Sequence, residues 1–246
     1  MENIRLSVVV PAYNEGQRIV RTLEAMDAYL KNQDYDYEII VVSDGSKDDT
    51  AKVVNEMKKK VANLLLIDNK TNHGKGYVVR QGMLLARGKY RLFTDSDNST
   101  PIQEVEKMWP FFGEGFDVVI GSRDAKGAVL DPPQPMVRRF LGEGFGLLTN
   151  IIVGTWGIQD TQCGFKAMTA ESAKTVLPLC KIDRFAFDPE ILAIARIKKM
   201  KIKEIPVHWK NDLRSTVKLG SMVKMFEDLF KVRLNMIKGI YGTKSE

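Results

Sequence analysis

Short apolar runs alternate with helical stripes through the first half of the chain. Residues 6–10, 38–42, 64–67, 90–94 and 118–120 are rich in β-branched side chains and bounded by turn or charged residues, which predicts five buried strands. Ile19, Leu23, Met26 and Leu30 recur at helical spacing between the first two. Val53, Val54 and Met57 do the same within 48–60, and a third helix is expected over 76–86. Strand–helix alternation of this kind implies parallel pairing with helices on both faces of the sheet. The expected class is α/β, with a doubly wound, mostly parallel sheet.

The second half is less regular. Asp131-Pro-Pro-Gln-Pro is a proline-stiffened loop, and the helical pattern over 138–153 carries Gly142, Gly144 and Gly146. Asp188-Pro189-Glu190 reads as a helix start, with Asp188 as the capping residue, proline at the first helical position and an acid next to it. Residues 202–209 resemble one more strand, which Pro206 assigns to a sheet edge. With no internal repeat or low-complexity linker, one domain is expected over 1–218, followed by a helix and tail over 219–246. In that helix Met222, Met225, Phe226, Leu229, Met236, Ile237 and Ile240 share a side, with Lys224, Lys231, Arg233 and Lys238 among or opposite them. Such a basic amphipathic helix can lie in an anionic membrane interface; docking on the domain core or on a second subunit is the alternative.

Composition changes this picture little. Of the 246 residues 44% are hydrophobic and 28% charged, which suits a soluble domain with a buried core and excludes a disordered chain. The net charge of +6 suits anionic partners such as nucleotides or lipid phosphates. No recognition helix or aromatic cluster supports nucleic acid as the partner. Cys163 and Cys180 are too few for a disulfide framework and wrongly spaced for zinc, so a reducing compartment is expected. The first ten residues lack a basic n-region and a cleavage site, so no signal peptide is expected. No stretch reaches the roughly 18 apolar residues of a membrane span. Membrane contact is therefore expected to be peripheral, on the cytoplasmic face.

The chemistry lies at the predicted strand ends, where open α/β sheets bind ligands. The first strand leads into Pro11-Ala-Tyr-Asn-Glu15, the second into Asp44-Gly-Ser-Lys-Asp48, and the third into Thr71-Asn-His-Gly-Lys-Gly76. Asp95-Ser-Asp97 follows the fourth and Gly121-Ser-Arg123 the fifth. Asp95 and Asp97, two residues apart, can point to one side; with no histidine or cysteine beside them they suit a hard divalent cation, Mg²⁺ or Mn²⁺, shared with substrate phosphates. Asn72 to Gly76 can bring backbone N–H groups and the Lys75 ammonium to a diphosphate. Asp44 can accept from a base N–H or cap a helix. Cys163 reads as a packing residue, and core packing is the expectation for Trp156 and Trp209.

Together these motifs resemble the inverting family 2 glycosyltransferases of the GT-A fold, over roughly residues 5–218. Ser7-Val-Val-Val-Pro-Ala-Tyr-Asn-Glu15, Val42-Ser-Asp-Gly-Ser46 and Asp95-Ser-Asp97 carry the likeness. Asn72 to Gly76, Gly121-Ser-Arg123, Asp160-Thr-Gln-Cys-Gly-Phe-Lys166, Phe187-Asp-Pro-Glu190 and Arg214-x-x-x-Lys218 point to the polyprenyl- or dolichyl-phosphate sugar synthases, nearest their glucosyltransferase branch. The resemblance implies that Pro11, Tyr13, Glu15 and Asp44 line base and ribose. It implies that Asp95 and Asp97 hold the metal–diphosphate, with Ser96 and Lys75 in the same nucleotide-sugar site. Arg123, Arg138, Arg139, Arg214 and Lys218 are candidates to position an acceptor phosphate. Asp160 is the candidate base for a hydroxyl acceptor, and Gln162 and Lys166 are candidates to shape the sugar or acceptor pocket. Ser99 stands where mannosyl-transferring relatives often place a glutamine ligand, which favours UDP-glucose over GDP-mannose as donor.

Overall fold

The structure, a computed structural model, describes residues 4–133, 136–210 and 219–242. The strands in chain order are β1 (Leu6–Ala12), β2 (Tyr37–Asp44), β3 (Leu64–Asn69), β4 (Tyr90–Thr94), β5 (Val118–Ser122), β6 (Val129–Asp131), β7 (Phe165–Thr169), β8 (Ile202–Pro206) and β9 (His208–Lys210). The α-helices are α1 (Ile19–Leu30), α2 (Thr50–Met57), α3 (Lys75–Leu85), α4 (Trp109–Gly113), α5 (Met136–Val153), α6 (Ala170–Val176), α7 (Phe187–Ile197) and α8 (Leu219–Ile237). Seven strands form one sheet in the order β3-β2-β1-β4-β7-β5-β8, while β6 and β9 pair separately.

Alternation along the strands divides the core into two layers. Val8, Val10, Ile39, Val41 and Leu92 face α1, α2 and the 3₁₀ turn at 102–108. Val9, Ile40, Val42 and Phe93 face the other way, against α3, α6 and α7. The β1–β2, β2–β3, β1–β4 and β5–β8 pairs are parallel, as the strand–helix alternation predicts. The exception is β7, which lies antiparallel between β4 and β5. The sequence pattern does not announce this strand, because a lysine interrupts its apolar run.

That lysine, Lys166, has a completely buried side chain, so it does not line a ligand pocket as the sequence suggested. Its Nζ donates to Asp188 Oδ1 at 2.6 Å and to the Cys163 carbonyl at 2.5 Å. A buried ammonium requires a counter-charge, and this requirement overrides the capping role expected for Asp188. Helix α7 begins two residues earlier than expected, at Phe187 rather than Pro189, without a side-chain cap. The predicted strand over 202–209 is also two strands, β8 on β5 and β9 on β6, divided at Val207. Pro206 ends β8 at the sheet edge, in agreement with its edge assignment.

Helix α8 packs on the same core as the rest of the chain. Leu229, Val232 and Tyr241 are fully buried, and the Phe226 ring meets Phe145 of α5 edge-on at 5.1 Å. Met225 and Met236 are partly buried against the same core. Ile237 and Ile240, expected on the same side, instead lie 69% and 42% exposed. Among the described residues no helix is long and apolar enough to cross a membrane. Just past α8 the Tyr241 hydroxyl donates to Glu190 Oε1 at 2.6 Å and accepts from Asn235 Nδ2 at 3.1 Å. Glu190 also accepts from the backbone N–H groups of Lys181 and Ile182. Removing the hydroxyl leaves a buried carboxylate short of one donor, so Tyr241→Phe is expected to cost about 1–3 kcal/mol. A lowered urea midpoint at unchanged denaturant slope is the expected observation.

Candidate active site

The turns at the carboxyl ends of β1, β2 and β4 enclose a cleft of about 420 Å³. Connections leave β1 and β4 in opposite directions, so the cleft sits at the switch point of the sheet, where such folds bind ligands. Pro11, Tyr13, Glu15, Asp44, Lys75, Asp95, Ser96 and Asp97 all line it. Every residue assigned from sequence to the nucleotide-sugar side is thus brought into one place. Arg18, Arg184 and Phe185 also line the cleft. The last two belong to the segment before α7, which carries no strand-end or glycine-rich pattern that would have drawn attention to them.

Each wall has a local cause. Asn14 adopts φ 56°, a left-handed conformation that asparagine tolerates, and turns the chain out of β1. Its side chain accepts from Lys47 N–H at 2.8 Å, tying the first loop to the second. The Tyr13 ring is 44% exposed at the mouth, a flat apolar face open to a base. Glu15 is gripped by Arg18 through both carboxylate oxygens, at 2.7 and 2.8 Å. Asp48 ties the first loop to the start of α2: one oxygen accepts from Gly16 N–H and the other from Thr50 N–H.

Asp44 holds the third loop. Its carboxylate accepts from His73 N–H at 2.7 Å, Gly74 N–H at 2.9 Å and Asn72 Nδ2 at 2.9 Å. A carboxylate offers about four acceptor positions, so one remains for a ligand. Gly74 has φ +114° and lies against the Asp183 carbonyl, where a side chain would collide. That backbone conformation starts α3 at Lys75 and aims the ammonium into the cleft. Lys75 Nζ stands 2.5 Å from Asp95 Oδ1.

After β4, Asn98 takes φ 57° and Asp97 Oδ1 accepts from Ser99 N–H at 2.9 Å, a side-chain turn that closes the loop. Ser96 is held by its carbonyl, which accepts from Thr22 Oγ1 at 2.7 Å. Among the described residues no group of three or more His, Cys, Asp or Glu side chains forms a metal site. Asp95 and Asp97 are nonetheless a fitting donor set for Mg²⁺ or Mn²⁺. Such ions commonly take one or two protein carboxylates and complete their shell with substrate phosphates and water.

Arg123 and Asp160 belong to a neighbouring place. The guanidinium donates Nε and one terminal nitrogen to the two Asp160 oxygens, at 2.7 and 2.8 Å. Asp160 also accepts from the backbone N–H groups of Arg123 and Gln162. Burial pushes this carboxyl up, but the Arg123 charge and its hydrogen bonds outweigh burial and hold it at about 2. Arg123 lines a second cavity of about 590 Å³ with Ala125, Leu130, Leu147, Asn150 and Gln159. The 160–166 segment joins the two cavities, since Asp160 holds Arg123 at one end and Gly164 backs onto Asp95 further along. Burial raises the Cys163 thiol to about 12, so it packs and does not attack. Trp209 faces Arg123, 5.7 Å from ring centre to guanidinium, whereas Trp156 is 57% exposed rather than in the core. Arg214 and Lys218, like the side chains of Arg138 and Arg139, lie outside the described residues.

Comparison with known proteins agrees with this geometry. The family model described as "Glycosyl transferase family 2" matches residues 7–177. A dolichyl-phosphate beta-glucosyltransferase of Trichomonas vaginalis is 38% identical, over 97% of this chain and 73% of its own. The enzyme of that name from Homo sapiens is 34% identical, over 96% of this chain and 77% of its own. The one from Saccharomyces cerevisiae is 36% identical, over 98% and 77%. In fold, the chain is similar to Mycobacterium tuberculosis glucosyl-3-phosphoglycerate synthase solved with Mn²⁺, UDP and glucosyl-3-phosphoglycerate. The TM-score is 0.70 at 19% identity, covering 94% of this chain and 79% of that one. A cleft built from the strand-end motifs, a family model spanning most of the chain and relatives matching nearly all of it agree: this protein is a glycosyltransferase and belongs to glycosyltransferase family 2.

Proposed function

We propose that the protein transfers glucose from UDP-glucose to a dolichyl or polyprenyl phosphate, with inversion at the anomeric carbon. The observation that carries this reading is the convergence of eight sequence-assigned donor residues on one switch-point cleft. The names of the relatives supply glucose and dolichyl phosphate. The fold neighbour, solved with Mn²⁺ and UDP, supports a uridine base and a divalent cation.

In the proposed reaction Tyr13 stacks on the base and Asp44 offers its remaining acceptor position to a base N–H. Asp95 and Asp97 hold the cation–diphosphate. When bound, the cation supplies positive charge where the leaving diphosphate gathers negative charge. The acceptor decides whether a base is needed. A lipid monophosphate loses its second proton near pH 6 and arrives already nucleophilic, whereas a hydroxyl would need a positioned base. Asp160 does not suit that role, being surrounded by four N–H donors and held at about 2. Its work is to orient Arg123, which spends only two of its side-chain N–H donors on the pair and keeps others for an acceptor phosphate. The geometry therefore favours the lipid-phosphate acceptor over a hydroxyl.

A lipid acceptor places the enzyme at a membrane surface. The outward side of α8 exposes Val223, Phe230, Leu234 and Ile237, and α5 exposes Leu147, Leu148 and Ile151. Exposed Lys231, Arg233 and Lys238 accompany them, a combination suited to peripheral contact with anionic lipid. Two buried free cysteines fit the reducing, cytoplasmic face.

With Mn²⁺ or Mg²⁺, UDP-glucose and a short dolichyl phosphate, the expected product is a lipid-linked β-glucose. GDP-mannose and UDP-N-acetylglucosamine are expected to react poorly. Asp97→Ala is expected to lower kcat/KM by at least about 100-fold, the scale of losing transition-state charge stabilisation. Donor binding without lipid product would send the reading to other acceptors. Co-sedimentation with phosphatidylserine vesicles should weaken by about tenfold or more in a Phe230→Ser, Leu234→Ser double variant, given the apolar burial lost. Finally, the Asp160 carboxyl lies below its ordinary 3.8, at about 2, so its contribution is complete above that ordinary value and vanishes as pH falls through the lower one. Wild type should lose about 2 kcal/mol over this window that Asp160→Asn does not lose, as read by denaturant titrations at each pH.

A further inference from the structure

Lys75 is paired with the wrong partner for a cation site. Its Nζ, 2.5 Å from Asp95 Oδ1, occupies a carboxylate oxygen that a divalent cation would need to approach more closely still. Both side chains are partly exposed, at 25% and 37%, so the contact can open. On the far side of Lys75 lies the first turn of α7. The ammonium sits 6.0 Å over the Phe187 ring, and Gly76 packs against Phe187. Burial opposes the charge on Lys75, and the neighbouring carboxylates of Asp95, Asp188 and Asp97 outweigh it and hold the ammonium above the ordinary lysine range.

Asp188 cannot follow Lys75 if it moves. Its carboxylate is buried and pinned at 2.6 Å by Lys166, whose own second bond ends on the Cys163 carbonyl beside Gly164. Two pairs of opposite charge thus stand one behind the other, Asp95 with Lys75 at the open cleft and Asp188 with Lys166 in the core. The two inner ones are fixed by burial. Lys75, on a flexible four-carbon stem, is free to exchange partners.

The geometry points to Lys75 as an exchangeable counter-ion and to Asp188 as the positioning residue that retains it. In the free enzyme Lys75 neutralises Asp95. When a cation arrives with a nucleoside diphosphate, Lys75 yields Asp95 and turns to the diphosphate, with Asp188 holding part of its charge in both arrangements. The inference rests on the donor half of the proposed function, the cation and the diphosphate, and is independent of acceptor and sugar. Its consequence is that a cation alone competes with Lys75, whereas a cation accompanied by diphosphate recruits it.

The test is binding rather than turnover. Mn²⁺ would be titrated into the full chain and followed by the electron paramagnetic resonance signal of free Mn²⁺. UDP would then be titrated at saturating Mn²⁺ and followed by calorimetry. Lys75→Met is expected to bind Mn²⁺ alone about tenfold more tightly and UDP about tenfold more weakly, shifts of a size usual for coupled sites. A purely structural lysine would weaken both affinities, and a plain diphosphate ligand would leave Mn²⁺ alone unchanged; either result overturns the proposal. Asp188→Asn should move Mn²⁺ alone the other way, because Lys75 then leans wholly on Asp95. An unchanged Mn²⁺ affinity in a folded Asp188→Asn protein removes Asp188 from the device. Should that variant fail to fold, the two Lys75→Met titrations decide. A wild type that binds neither Mn²⁺ nor UDP overturns the donor reading and this inference together.

Discussion

A side chain at residue 164 would collide with the Asp95 carboxylate, and much of the cleft follows from that contact. Gly164 can back onto Asp95 because β7 runs antiparallel beside β4, pairing Phe165 with Thr94 at the edge of the cleft. The insertion separates β4 from β5 and carries the 160–166 segment across the mouth of the sheet. One end of that segment backs onto Asp95 and the other grips Arg123. The two cavities are thereby joined by seven residues of backbone rather than by a hinge between domains. The buried Lys166 is the cost of this arrangement, since a charge in the middle of the sheet obliges α7 to provide Asp188.

Electrostatics in the cleft is layered. Glu15 is matched by Arg18, and the buried Asp44 by backbone and amide donors. Asp95 and Lys75, more exposed than either, neutralise each other and remain reachable. Asp188 has its carboxyl raised by burial, with Lys166 and Lys75 opposing that rise. Charges are available for exchange only where solvent still reaches them. This gradient separates the groups that can meet a ligand from those that hold the others in place.

The donor side was legible from sequence because it is written at strand ends. Each strand is a short β-branched run, and the polar residues after Ala12, Asp44 and Thr94 are carried to the same edge by the parallel register alone. The family resemblance added roles to residues that this geometry already gathers. What escaped detection depends on contacts across the chain. Lys166 disguises β7 as a loop motif, and Asp188 looks like a cap until its partner 22 residues away is known. Arg184 and Phe185 reach the cleft only because α7 packs beside α3. On α8, periodicity located an apolar face, but apolar side chains lie on both sides of that helix, and only packing against α5 and α7 determines which are covered.

The bond from Tyr241 to Glu190 ties the far end of the chain to the substrate cleft. Glu190 is also the acceptor that fixes Lys181 and Ile182, immediately before the Asp183 carbonyl against Gly74 and the Arg184 and Phe185 wall. A few residues beyond the last helical turn therefore act as a latch on the donor pocket, although they approach no ligand themselves. Trimming or fusing the chain too near this point would be felt at the wall of the cleft as well as in stability. In practical terms, an affinity tag on this side needs a spacer that leaves Tyr241 seated.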